Sequence, residues 1–411
     1  VPDRMTITTT VDYLDKDGNK FACPPTETQV AAKIFVKAVA TSSPRGGGLP
    51  VKRQFETLAS LKPQFSTDLN KAIFGNAGVA VGNNMDLYGE NGANNADVYT
   101  NGSFTCTNNE HFRGSVIAPQ GSITLDNSCV IDVDAIARDA VNITRSASIV
   151  NGNVKVSAGP INLTAGTLVG KAYVTQTSSW CTANPSKCTV TSPVKIPSVQ
   201  TFPVLNGDAA VVAQYQAAGY NVLNSFTSCD PSNSGSVGYW LENSAKTITQ
   251  PTLLKTTCRV DLQNNAKTVS LNNDVAIFAD GGIEITHSIS INSTTAGTKH
   301  QILWVHPYDW QSRVTGPCLN LGSTPQTKGY GIVLSQLVTM SADVNELLYS
   351  PCDINKANQS TVYGQIYSGG IANVSNKTDA YYRPVSVIGV SSTKVVLYYQ
   401  ADILYKRENS G

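Results

Sequence analysis

The chain has 411 residues, a formal net charge of +1 and only 14 % charged residues, against roughly 25 % in ordinary soluble domains. So balanced a charge argues against a general electrostatic pull toward nucleic acid or anionic membrane, and no run of about 18 apolar residues offers a membrane span. The polar surface must come from Ser, Thr, Asn and Gly, which suits turn-rich extended structure, in two or three domains or one long repeat with additions.

The start, Val1 to Arg4, carries neither an initiator Met nor a signal sequence, and reads as a trimmed or processed ectodomain whose anchor lies upstream. Residues 1–66 read as an antiparallel meander. Met5 to Val11 alternates at period two, Asp17-Gly18 supplies a hairpin turn, and Ala32 to Ala40 and Val51 to Leu58 follow as strands. The Asp15-x-Asp17-Gly18-Asn19 run has the opening letters of a calcium loop. Its twelfth position is Thr26, where an EF-hand closes with Glu, so a plain turn is expected.

Residues 67–198 carry a nineteen-residue echo. Gly114-Ser-Val116-Ile-Ala118 leads into Gly121-Ser-Ile123-Thr-Leu125. Val133 to Ala137 repeats the line in degenerate form, and Gly152-Asn-Val154-Lys-Val156 with Gly159-Pro-Ile161-Asn-Leu163 restores it. Asn95 to Phe104 before, and Gly170 to Val174 after, share the grammar. Two short strands about a glycine corner at a fixed period describe one coil of a solenoid, too small to bury its own apolar face and obliged to stack. Strands about 4.8 Å apart with aliphatics inward give a right-handed parallel β-helix. The competing antiparallel sandwich would need hairpin signals that are few here.

Pro193, Pro197 and Pro203 mark an excursion, and residues 199–262 read as an insertion with a short helix and loops. Asp208 caps that helix, Ala209 to Ala218, with Val212 and Tyr215 on one face and Gly219 stopping it. Ser232 to Ser236 is loop. In residues 263–390 the repeat grammar returns at Asp274 to Ile285 and Tyr363 to Ile371, which predicts one solenoid, interrupted rather than duplicated. In residues 391–411 the β-prone run Thr393 to Tyr405 is expected to cap an open end of the solenoid. The fold class is therefore all-β: a right-handed parallel β-helix, a small N-terminal antiparallel sheet and one short helix in an insertion.

Nine cysteines point to an oxidising compartment. Nearest neighbours pair Cys106 with Cys129, Cys181 with Cys188, Cys229 with Cys258 and Cys318 with Cys352, although sequence does not fix connectivity. Cys23 is left to an upstream cysteine, an intermolecular bond or a buried free thiol. Zinc is disfavoured, since there is no C-x-x-C and His111, His287, His300 and His306 form no ligand-spaced cluster.

β-Helices host polysaccharide lyases and glycosidases, so Asp132 and Asp134, alternating with Ile131 and Val133, and the nearby Asp139 are weighed as an acid and base pair. A solvated outer face is the preferred reading, with a calcium bridge as a lesser one; Arg138 alone makes no site. No catalytic, cofactor or metal residue is assigned, and Glu284 and His287 receive no role. Trp304, Tyr308 and Trp310 form the most aromatic segment, and aromatics with a polar edge stack on sugar rings. That makes them candidate glycan contacts beside the plainer reading of a packed loop near Cys318. Asn-x-Ser/Thr triplets begin at Asn101, Asn142, Asn162, Asn292, Asn358, Asn373 and Asn376, many of them expected by chance in such a composition.

The lines Gly114 to Leu125 and Ala276 to Ile285 resemble the polymer-forming, bactofilin-like β-helix repeats, a likeness covering about two thirds of the chain. More specifically, the chain is similar to large type IV pilus-associated surface proteins of Gram-positive bacteria. There a pilin-type hydrophobic helix precedes a small sheet and a bactofilin-like β-helix. Leu348 to Ile354 followed by Tyr363 to Tyr367 is similar to that group's late coils, and Met5 to Leu61 looks like the strands after a pilin helix. The resemblance implies a non-enzymatic extracellular surface or filament component, a pilin-like subunit or adhesin. Its partners would be other pilin subunits through an upstream helix, and host or surface glycans or proteins, with no cofactor and no nucleic acid. The alternative, a carbohydrate-active β-helix enzyme or a glycan-binding protein, predicts a groove lined by aspartates and aromatics.

Overall fold

A computed structural model describes residues 4–14, 19–21, 33–43, 51–65, 69–262, 267–309, 318, 330–391 and 396–410. Cys23, Trp310 and the Asp15–Asp17 turn lie outside them. The chain divides into two compact units, Val1–Asp68 with Ser391–Gly411, and Leu69–Val390.

The first unit is an antiparallel sheet in the order Lys20–Phe21, Arg4–Leu14, Lys33–Ser43, Val51–Phe65, Val396–Ser410. Residues directly opposite one another share a face. Ile7 faces Ala40, Val11 faces Val36, Ala38 faces Phe55 and Ala59 faces Ile403, so one face gathers large apolar residues around Thr9 and the Arg53–Glu408 ion pair. The other face takes Thr6, Thr8 and Thr10 with Lys37, Gln54 and Glu56. The C-terminal strand corrects the expectation of a solenoid cap. It pairs along Val51–Phe65 instead, with Arg407 on Glu56 at 2.7 Å and Glu408 on Arg53 at 3.0 Å. Both strands run 15 residues, so each satisfies nearly all of the other's edge hydrogen bonds. A three- to five-residue coil strand offers no such match.

The second unit is a solenoid of parallel ladders, three strands to a coil. The first ladder stacks Ile73–Gly75, Val98–Thr100, Val116–Ala118, Ala135–Ala137, Val154–Val156, Ala172–Val174 and Cys188–Val190. The second stacks Gly78–Gly82, Ser103–Asn108, Ile123–Asn127, Val141–Ile143 and Ile161–Leu163. The third stacks Met85–Tyr88, His111–Phe112, Val130–Ile131, Ile149–Val150 and Thr167–Leu168. Like sits on like: Phe104, Ile123, Val141 and Ile161 form one inward column, each with no exposed surface. Burying each such side chain stabilises by about 1.5–3 kcal/mol. The glycine corners recur because coils touch there. A Cβ on Gly114 would collide with the Ala96 carbonyl, and one on Gly152 with the Val133 carbonyl.

The repeat is continuous, but its order in space is not its order in sequence. The later coils run through Asn221–Leu223, Thr252–Thr256, Val275–Ala279, His300–Val305, Val344–Ser350 and Ser360–Ser368 along the first ladder. The last of them stacks on the first coil of the unit. Ile366 pairs with Ile73, Ala372 with Val79 and Tyr381 with Tyr88. Residues 221–382 therefore precede 73–190 in the stack, and the chain must return from one end to the other.

Residues 191–220 make that return over the outside of the first ladder. There the outward row is apolar: Phe278, Val305, Tyr349, Tyr367, Phe74, Tyr99, Ile117 and Ile136 in register. The returning strap covers it as a second core. Gln200 donates its N–H to the Tyr99 hydroxyl at 2.7 Å, Phe202 stacks on Tyr349 at 5.3 Å, and the Tyr349 hydroxyl donates to the Pro203 carbonyl at 2.8 Å. Ala209–Ala217 is helical, capped by the Asp208 carboxylate on the Val211 N–H, and ended by Gly219 at φ +88°. Val212 and Tyr215 pack on the same outer core, as expected, and Val211, four residues before Tyr215, joins them there more deeply buried. Two helices escaped the sequence reading, Ser179–Ala183 and Val237–Asn243; both are too short to show a period. Asn221–Leu223 and Thr252–Thr256 already belong to the ladder, so the segment expected to be an insertion holds two rungs of it.

Candidate functional site

The aspartates weighed as a catalytic pair lie at a bend after Val130–Ile131, where each is tied to a neighbouring coil. Asp132 accepts from His111 Nε2 at 2.9 Å and Asn151 Nδ2 at 2.9 Å. Asp134 accepts from the Asn153 N–H at 2.8 Å and pairs with Lys155 at 3.1 Å. Asp139 is bound by its neighbour Arg138 at 2.7 Å. Each carboxylate spends its lone pairs on holding rungs or its own corner, which fits the solvated structural reading.

The aromatic segment divides. Trp304 is 1 % exposed and points into the lumen among Ile277, Ile302 and Leu348, which corrects its assignment as a glycan contact. The strand is buried on both faces, Leu303 and Val305 entering the outer core while Trp304 enters the inner one. Tyr308 is 45 % exposed, at the margin of the strap beside Phe202. Glu284, left without a role, is buried and pairs with Arg259 at 2.6 Å, and His287 contacts the Thr286 hydroxyl at 3.0 Å.

Among the described residues four disulfides are present: Cys106–Cys129, Cys181–Cys188, Cys229–Cys258 and Cys318–Cys352. Buried Glu110 lies against the first, one carboxylate oxygen 2.9 Å from Cys106 Sγ and 3.3 Å from Cys129 Sγ. Burial pushes its carboxyl up to about 7, against the opposing pull of the Asn108 N–H. As the two sulfurs are bonded to each other, this trio is a packed bridge rather than a ligand set.

Sequence reasoning missed two clusters. In the lumen of one coil, Glu346 and Lys356 are both buried. Burial drives the Glu346 carboxyl upward and the Lys356 ammonium downward, while each opposite charge resists. Lys356 Nζ donates to Thr378 Oγ1 at 3.0 Å and the Asn358 carbonyl at 3.3 Å, and the Trp304 indole lies against the Glu346 carboxylate, where it too opposes the upward push of burial. On the outside, Tyr363, Tyr381 and Tyr88 stack at 4.7 and 4.6 Å, and the guanidiniums of Arg383 and Arg113 cover the two ends at 4.4 and 3.9 Å. Their faces are spent on one another, so the stack is a clamp across the junction of last and first coils.

Several exposed large apolar side chains gather on one face of the first unit's sheet. Met5 is 63 % exposed, Ile7 58 %, Phe55 47 % and Ile403 57 %, and the register places all four on one side. Among the described residues, no helix is long and apolar enough to cross a membrane.

No family model and no curated protein matches the chain. Among solved structures it is similar to the competence-associated pilin ComZ from Thermus thermophilus, at 11 % identity over 98 % of this chain and 87 % of that one, with a TM-score of 0.29. It is also similar to an ice binding protein from an Antarctic bacterium, Flavobacteriaceae, at 10 % identity over 79 % and 100 %, with a TM-score of 0.15. At such scores neither likeness carries an argument.

Proposed function

We propose that the chain is a non-enzymatic structural component of an extracellular surface or filament, pilin-like in its small sheet and bactofilin-like in its right-handed coils. The observation that carries this reading is the uncovered apolar face of the sheet. Antiparallel sheets tolerate one wet face when it is polar. Here both faces reach solvent along Met5 to Val11, and one of them is studded with large apolar side chains; an exposed apolar patch rimmed by polar residues marks a partner site. A helix laid across Met5, Ile7, Val11, Val51, Phe55 and Ile403 would bury it, supplied by an upstream segment or a neighbouring subunit. Four disulfides suit an oxidising compartment.

The test replaces Ile7 and Phe55 together by Asp in the source organism and follows the protein in sheared surface filaments. The variant should fold, keep its four bridges and be lost from the filament fraction. Recovery there at the unsubstituted level sinks the reading.

A further inference from the structure

The near-zero net charge conceals a segregation. From Ala140 to Gly207 the sequence has Arg145, Lys155, Lys171, Lys187 and Lys195 and not one Asp or Glu. This stretch builds the terminal coils of the stack and the start of the returning strap. Lys155 borrows Asp134 from the preceding coil and Arg145 borrows Asp126. Lys171, Lys187 and Lys195 have no carboxylate within 4.0 Å among the described residues. One end of the solenoid is therefore electropositive while the rest of the chain is net negative.

A cleft opens at that end, and the register explains why. The outward row of the first ladder is apolar up to Ile136, and the strap seals it. The next two positions in the column are Lys155 and Tyr173, which the strap does not bury. Thr191, Pro193, Val194 and Lys195 of the strap form the opposite wall of an open cleft of about 230 Å³. That is below the range of about 300–1,000 Å³ that holds drug-sized ligands, and suits a group the size of one sugar ring. Its walls offer an aromatic ring and apolar strap residues for the faces of a pyranose, the Lys195 ammonium and, shared with Asp134, the Lys155 ammonium for a carboxylate, and a Thr hydroxyl.

We infer that the cleft between Lys155, Tyr173 and Lys195 binds a carboxylate-bearing saccharide unit, such as a uronate or sialate residue of an acidic glycan. A nucleic acid is the weaker fit. It calls for a track of cations along a backbone and several stacking rings, whereas this cleft holds one tyrosine and no arginine. The inference stands apart from the filament reading, because it uses none of the sheet residues.

The experiment titrates the full chain with sialyllactose and tri-galacturonate, beside lactose, maltotriose and a single-stranded oligonucleotide. The acidic sugars should bind, more weakly as salt rises, and the neutral ones should not. Lys195→Glu, on an exposed strap position, and Tyr173→Ala should each weaken binding by about tenfold or more, while Tyr173→Phe retains it. Circular dichroism and intact bridges establish that each variant is folded. Equal binding of lactose, no binding of either acidic sugar, or affinity indifferent to Lys195→Glu overturns the proposal. So does an oligonucleotide that binds more tightly than both sugars and is released by the same substitutions.

Discussion

Tyr381 lies on Tyr88 with ring centroids 4.6 Å apart and planes 10° from parallel, and that contact joins the last coil of the solenoid to its first. Tyr363 extends the stack on one side, and Arg113 closes it on the other. Beneath it, Tyr367 stacks on Phe74 at 5.6 Å across the same junction. Here the chain does not run directly from one coil to the next, so ring stacking, backbone ladders, hydrogen bonds such as Gln365 Nε2 to the Lys71 carbonyl, and the strap hold the junction together.

A double-substitution cycle on Tyr88 and Tyr381 measures that clamp. Each change to Ala should lower stability, and the pair should show a coupling of about 0.5–1.5 kcal/mol. Denaturant midpoints of the two single variants and the double variant provide the reading. Strictly additive losses would mean the rings merely lie near each other.

The buried charges make a sharper case. Taking away one member leaves the other unpaired in the lumen, which costs about 3–5 kcal/mol, while replacing both by apolar groups of similar size is often neutral or stabilising. Glu346→Leu and Lys356→Met are thus expected to destabilise singly and to rescue one another together. Thermal unfolding of the double variant below both single variants would refute the pairing.

How much of this was legible without coordinates follows from how far each contact reaches along the chain. The glycine corners and inward columns were readable because Val116 and Ile123 are matched by Ala135 and Val141 one coil later, and Gly114 by Gly152 two coils later, at nearly fixed spacing. The order of the coils was not. Lys71 donates its N–H to the Tyr367 hydroxyl 296 residues away, and no local pattern announces a pairing of that span. Trp304 failed for a different reason. Its strand is buried on both faces, so no alternation with polar residues reveals which way the indole points. Glu346 and Lys356 read as ordinary surface charges until the coil closes around them. The end cleft was hidden because Lys155 and Lys195 are 40 positions apart and meet only when the strap folds back.

Glu110 gives a dependence on pH. Its folded-state value near 7 exceeds the ordinary 4.5, so between the two the folded protein holds a proton that the unfolded chain has released. The stability it contributes is full below 4.5 and is lost as pH rises through 7. Glu110→Gln cannot ionise. Its melting temperature should fall less than that of the unsubstituted protein between about pH 5 and pH 8. Parallel declines in calorimetry would place the titration elsewhere.

Phe202 is the residue on which the strap depends. It is 7 % exposed and touches Phe74 at 5.8 Å and Tyr349 at 5.3 Å, seating the strap on the outward row on both sides of the coil junction. Truncation to Ala removes a large ring from a packed site and should cost about 3–5 kcal/mol if the neighbours stay in place. The strap has a looser option, since hydrogen bonds from Gln200 to Tyr99 and from Leu205 to Tyr349 flank the ring. Those amides should exchange faster with solvent in Phe202→Ala, while the inner-column amides of Ile123 and Val141 keep their protection. Exchange that accelerates equally in strap and inner ladder would show that the two cores unfold as one, and would remove the strap's standing as a separately docked segment.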